Sequence, residues 1–211
     1  MKIEVDFNKF STVYDKGCPQ LIWTQIVADL ETPVSVFLKV AEGRKNSFLL
    51  ESVEGGNIRG RYSIIGLKPD LVWRCQENRV EINRHDINDK SNFELSKKKP
   101  IESLKDLLEE SKIQIPEGLP PMSAGLIGYL GYETIEQYEK LPPRKKNSIN
   151  VPDGFFIRPK TLAIFDDIKN EITLINPYWY QNNQNYEKDY EFIVNYLRKL
   201  INIINSPLKY K

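Results

Sequence analysis

Glu51 and Ser52 are the residues of this chain whose types and position best suit chemistry. They close an apolar run over 47–50 and precede the pair Gly55-Gly56, so they stand at a strand's end beside a tight turn. A carboxylate and a hydroxyl there can hold an ammonium group and its neighbours. Arg61, Tyr62 and Ser63 return on the following segment and add to the same polar cluster. Glu51 and Ser52 point to opposite faces of an extended strand, so at most one faces a core. A buried serine hydroxyl needs a partner, and a small ligand with an ammonium and a carboxylate would supply one. The simpler reading is a core hairpin, with Leu49, Leu50, Ile64 and Ile65 packed inside and Gly55-Gly56 providing positive φ. Residue types alone leave both readings open.

Other candidates for chemistry are weaker. The one histidine, His85, lies between Arg84 and Asp86 in a polar stretch and reads as a surface residue. Asp166-Asp167 can be taken for a metal pair, but at a strand end before a turn it reads first as turn chemistry. Cys18 and Cys75 lack C-x-x-C spacing, which argues against zinc. Gly125, Gly128 and Gly131 lack dinucleotide-binding spacing and are expected to pack a buried strand over 124–130 against its neighbours. Neither a phosphate loop nor a nucleophile elbow occurs.

The elements that must position these residues follow from periodicity. Residues 21–27 are a β-rich run. Thr32 and Pro33 open a helix that carries Val34, Phe37, Leu38 and Ala41 and ends at Gly43. Strands are expected over 47–50, over 62–67, over 71–75 and over 80–82, the last two around a turn at Asn78. Residues 84–99 read as a loop, with Lys97, Lys98 and Lys99 as a solvated patch. An amphipathic helix over 101–111 presents Leu104, Leu107 and Leu108. Residues 161–165 and 171–175 form a hairpin around Lys169-Asn170. A long helix over 186–205 carries a stripe of Tyr190, Ile193, Val194, Leu197, Leu200, Ile201 and Ile204. The mix predicts an α+β fold of largely antiparallel sheets, packed as part of a β-sandwich with peripheral helices.

Bulk properties set the remaining bounds. With 211 residues the chain is one large domain or two small ones, and a formal net charge of +1 gives no case for nucleic acid. The charged start (Lys2, Glu4, Asp6) has no apolar signal core, and no run approaches the ~18 apolar residues of a membrane span. The expected setting is the reducing cytoplasm.

Three blocks then become specific. Residues 31–39 (Glu31-Thr32-Pro33-Val34-Ser35-Val36-Phe37-Leu38-Lys39), residues 49–56 (Leu49-Leu50-Glu51-Ser52-Val53-Glu54-Gly55-Gly56) and residues 60–66 (Gly60-Arg61-Tyr62-Ser63-Ile64-Ile65-Gly66) resemble the amino-terminal domain of anthranilate synthase component I, a chorismate-utilising family. Residues 124–133 and 152–166 look like later blocks of the same family, so the resemblance runs in order over about 22–175. Aminodeoxychorismate synthase shares a Leu-Leu-Glu-Ser element in weaker form. The full set of blocks favours the tryptophan enzyme.

The resemblance implies that the complete enzyme makes anthranilate and pyruvate from chorismate with Mg²⁺ and ammonia. A glutamine amidotransferase subunit (component II) supplies the ammonia, and L-tryptophan inhibits by binding the amino-terminal part. On this basis Leu50, Glu51 and Ser52 are expected tryptophan contacts, with Tyr62 and Ser63 on the returning strand. Residues 1–205 are expected to be this regulatory domain and 206–211 a tail. The chorismate-binding catalytic domain is expected to be missing, with no cofactor and no catalytic residue on this chain. The chain alone is therefore expected to make no anthranilate and to need a chorismate-binding domain or chain as partner. The alternatives are a non-enzymatic scaffold that docks through the stripe of the last helix, and the matching piece of aminodeoxychorismate synthase.

Overall fold

A helix that periodicity does not predict precedes the first strand: α1, Phe7–Tyr14, capped by Asp6, whose carboxylate accepts from Lys9 N–H at 2.9 Å. The structure is a computed structural model that describes residues 3–41, 43, 45–54, 58–85, 89–140, 142, 151–182 and 185–208, with backbone alone at 53, 54, 58, 59 and 90. Gly55 and Gly56 therefore lie outside the described residues, as do 209–211 of the expected tail. The chain divides into two units: residues 1–68, 113–124 and 160–211 in one, and residues 69–112 and 125–159 in the other.

The first unit holds β1 (Gln20–Val27), α2 (Pro33–Val40), β2 (Phe48–Glu54), the first part of β3 (Ile58–Gln76), the last part of β7 (Gly154–Asp166), β8 (Glu171–Tyr178) and α4 (Tyr186–Ile204). Its strands run antiparallel in the order β1-β8-β7-β3-β2. The β7–β8 hairpin forms where expected, and Asn170 adopts φ 52° in its turn. Thr32 and Ser35 cap α2 reciprocally, each side chain accepting from the other's backbone N–H, and Pro33 takes the first turn. Buried Lys39 ties α2 to the end of α4 by donating to the Ile204 carbonyl at 2.7 Å, while Glu31 neutralises it.

The expected stripe of α4 is not open for docking. Ile193, Val194, Leu197, Leu200 and Ile204 are buried in one core with Phe10, Ile22, Val36, Ile65 and Phe165, and Tyr190 and Ile201 pack against it. This corrects the expectation that the stripe is a docking surface: the apolar stripe that makes the helix amphipathic is what holds it to its own sheet. Tyr178, Tyr186 and Tyr190 pack against the Phe10 and Tyr14 rings of α1, and Tyr190 donates its hydroxyl to the Val5 carbonyl at 2.9 Å.

In the second unit the order is β6-β7-β3-β4-β5, with β4 at Arg79–Asn83, β5 at Glu94–Leu95 and β6 at Ile127–Leu130. Helix α3, Pro100–Glu110, buries Leu104 and Leu107 with Leu71, Trp73, Cys75 and Val80, whereas Leu108 is half exposed. Trp73 meets its polar requirement by donating to Ser103 Oγ at 3.1 Å. Arg158, 8% exposed, donates to both carboxylate oxygens of Asp70 at 2.7 and 3.1 Å.

Three expectations need correction. The strands over 62–67 and 71–75 are one 19-residue strand, β3, which tolerates Pro69 with Lys68 at φ 48°. The stretch 84–99 is not all loop, because β5 pairs with β4 through Glu81 and Ile82. The strand expected to be buried over 124–130 is the short β6, which pairs only with β7 among the described strands and leaves Tyr129 and Leu130 half exposed. Its glycine does serve close approach: a Cβ on Gly128 would stand 1.9 Å from the Phe155 carbonyl oxygen.

Candidate functional site

Register decides where the hairpin residues go. Phe48, Leu49, Leu50 and Glu51 stand opposite Gly66, Ile65, Ile64 and Ser63. Directly opposed residues share a face, and alternate residues along a strand share one too. Glu51 and Ser63 therefore lie on the face of Leu49 and Ile65, which is the face packed into the core with α2 and α4. Leu50, Ile64 and Tyr62 lie on the other face. Ser63 is buried at 5% exposure, Tyr62 is half buried, and Leu50 and Glu51 are open to solvent. The residues singled out from sequence are thus brought onto one hairpin but divided between its two sides.

Beyond Glu51 the regular pairing breaks. The next pairs are Val53 with Arg59 and Glu54 with Ile58, so Ser52 alone stands across from Gly60, Arg61 and Tyr62. A bulged ladder of this kind re-aims a side chain. The Ser52 side chain lies over Gly60: a Cβ built there would sit 2.1 Å from Ser52 Oγ and 2.4 Å from Ser52 Cβ. Farther down the hairpin the Phe48 ring fills the equivalent space over Gly66.

Arg61 fastens this end of β3 to β7. Its guanidinium donates to Asp166 through Nε at 3.1 Å and Nη2 at 2.8 Å, and its carbonyl accepts from Asp167 N–H at 2.9 Å. Asp166 is 6% exposed and also accepts from Ile168 and Lys169 N–H groups in the turn. The Arg61 hydrogen bonds, against the cost of burial and with help from those turn amides, hold the Asp166 carboxyl below the usual carboxylate range. The Arg61 guanidinium carbon lies 4.8 Å from the centre of the Tyr62 ring. Asp166 therefore belongs to turn chemistry and an ion pair. The reading from sequence did not foresee its arginine partner, since the two are far apart along the chain.

Among the described residues no three His, Cys, Asp or Glu side chains converge on one point. His85 is exposed and 3.9 Å from the equally exposed Glu94 of β5. Neither Cys18 nor Cys75 forms a disulfide. No described helix is long and apolar enough to cross a membrane.

No family model matches the chain. Individual proteins do. Over 173 residues the chain is 43% identical to the anthranilate synthase component 1 of Cereibacter sphaeroides, covering 82% of this chain and 35% of that protein. Over these residues the chain belongs to the anthranilate synthase component I family. The anthranilate synthase component 1 of Synechocystis is 35% identical over 175 residues, covering 82% of this chain and 34% of the relative. That of Thermus thermophilus is 34% identical over 151 residues, covering 72% and 30%. The chain thus spans about a third of the length of the curated relatives it matches. A crystal structure of anthranilate synthase component I from Streptococcus pneumoniae has the same fold over 82% of this chain and 36% of its own, with a TM-score of 0.52 and 22% identity.

Proposed function

We propose that this chain is the regulatory part of an anthranilate synthase component I and binds the feedback inhibitor L-tryptophan on the β2–β3 hairpin. The observation that carries the reading is the half-open face of that hairpin. Leu50, Tyr62 and Ile64 present apolar surface there, Ser52 stands at its end, and Leu50 is 48% exposed. An indole ring would gain by covering that surface, at ~25 cal/mol per Å² removed from water. Ser52 and nearby main-chain groups serve the polar end of the amino acid. Glu51 lies on the opposite face and acts from the hairpin's edge, where its exposed carboxylate attracts an ammonium group, while buried Ser63 supports the hairpin from the core side. A face this open needs a second surface to complete the pocket. In this reading the chorismate-binding region of the enzyme provides it and carries the Mg²⁺, while a glutamine amidotransferase subunit delivers ammonia for the conversion of chorismate to anthranilate and pyruvate.

Thermal unfolding with and without L-tryptophan tests this, on the chain alone and on the chain joined to the remaining two thirds of the Cereibacter relative. Ligand at ~100 times its dissociation constant stabilises by roughly 2.7 kcal/mol, which is several degrees for a chain of this size. A shift only in the joined protein shows that the pocket needs the second surface. The absence of any shift in both proteins up to millimolar L-tryptophan sinks the reading.

A further inference from the structure

The geometry points to Gly60 as a positioning residue that seats Ser52. This inference rests on the tryptophan reading above and adds the element that sets the inhibitor contact. Ser52 faces three residues of β3 where regular pairing would supply one, so the ladder alone does not fix its side chain. What fixes it is space. Gly60 is buried, its φ is not in the left-handed region, and no conformational demand therefore calls for glycine. The demand is steric: the Ser52 Oγ and Cβ occupy the volume that a Gly60 Cβ would need, at 2.1 and 2.4 Å. Glycine here serves the close approach of a neighbouring residue. The backbone of Gly60 becomes the floor of the Ser52 seat, and Arg61, locked to Asp166, holds that floor against β7.

Any side chain at this position must push Ser52 away from its place beside Leu50 and Tyr62. The sensitivity of the chain to tryptophan is thus set partly by a residue that offers no group to the ligand.

A double-variant cycle tests this on the full chain, in whichever form binds L-tryptophan. Gly60→Ala is expected to weaken tryptophan binding by roughly tenfold, as Ser52→Ala does, the cost of one lost hydrogen bond to a charged group. It is also expected to lower the melting temperature. In the Ser52→Gly background the volume is vacant, so adding Gly60→Ala is expected to change neither the remaining affinity nor the melting temperature. Wild-type affinity in Gly60→Ala overturns the inference. So does an equal fall in melting temperature in both backgrounds, because the clash is then not with Ser52. If Gly60→Ala fails to fold, a folded double variant upholds the inference and an unfolded one overturns it. The melting-temperature arm needs no ligand, so a wild-type chain that ignores tryptophan sinks the functional reading separately.

Discussion

Replacing Asp166 by Asn tests how the candidate site is held. The amide keeps one oxygen, which can go on accepting from the turn N–H groups of Ile168 and Lys169. It loses the charge and the second acceptor, Oδ2, which receives Nη2 of Arg61 at 2.8 Å and Nε at 3.3 Å. Breaking a fully buried ion pair costs about 3–5 kcal/mol because the surviving charge is left dry. Here the survivor is Arg61, whose side chain is 45% exposed against 7% for Asp166, so water can take over much of its solvation. The expected loss is that of hydrogen bonds to a charged group, about 1–3 kcal/mol. For a chain of this size that lowers the melting temperature by roughly 2–10 °C. The loss must depend on pH. The folded-state pKa of Asp166 is depressed, so its contribution is present above the unfolded carboxylate value near 4 and fades as pH falls through the folded value. Melting wild type and Asp166→Asn side by side from pH 7 to pH 3 reads this directly. The gap is expected to be widest at neutral pH and to narrow below about pH 4. No gap at pH 7, or an equal gap at pH 7 and pH 3, would refute the assignment of Asp166 as an ionised anchor.

Two further substitutions separate the units. Gly128→Ala sets a methyl group 1.9 Å from a main-chain oxygen that cannot step aside, so β6 must leave β7 at a cost of about 1–3 kcal/mol or more, visible as faster amide exchange over 127–130 and 154–157. Phe10→Ala empties a fully buried site ringed by Tyr178, Tyr186 and Tyr190 and should destabilise the first unit by about 3–5 kcal/mol in urea unfolding, with α1 released first in hydrogen exchange.

Local signals carried much of the architecture. Thr32-Pro33 marks the start of α2 because a hydroxyl cap and a proline in the first turn both meet needs of the helix end itself. Asn170 marks the β7–β8 turn because it accepts positive φ. Helix α4 is long enough for its stripe to declare a period, and the same stripe is its attachment. Helix α1 gives no such signal, for the converse reason. Eight residues, with Asn8, Lys9, Ser11 and Thr12 between its aromatics, are too few to be stable by propensity, and the rings that hold it come mostly from around 178–190. The exposure of β6 was equally out of reach, since an apolar run does not say whether anything lies on its far side.

The hairpin shows where one-dimensional reading stops. Alternation correctly divides Glu51 from Ser52, but it cannot tell which of them faces the helices, because that depends on register with β3. Nor does alternation foresee the break after Glu51. Gly60 was the available signal: a lone glycine inside a strand means that another group comes close. In the sequence it reads as part of a block with Arg61, Tyr62 and Ser63, and the eye goes to the side chains that can bond. The structure reverses the emphasis for two of them. Ser63 is buried on the core side and Arg61 is engaged with Asp166, so both build the hairpin before they serve any ligand. What remains on the half-open face is Leu50, Tyr62 and Ser52, with Ser52 in place only because position 60 has no side chain. In the proposed site, volume at the floor of the Ser52 seat counts as much as the polar group it holds. On the proposed tryptophan reading, screens for tryptophan-insensitive variants are expected to recover substitutions of Gly60 as well as of Ser52.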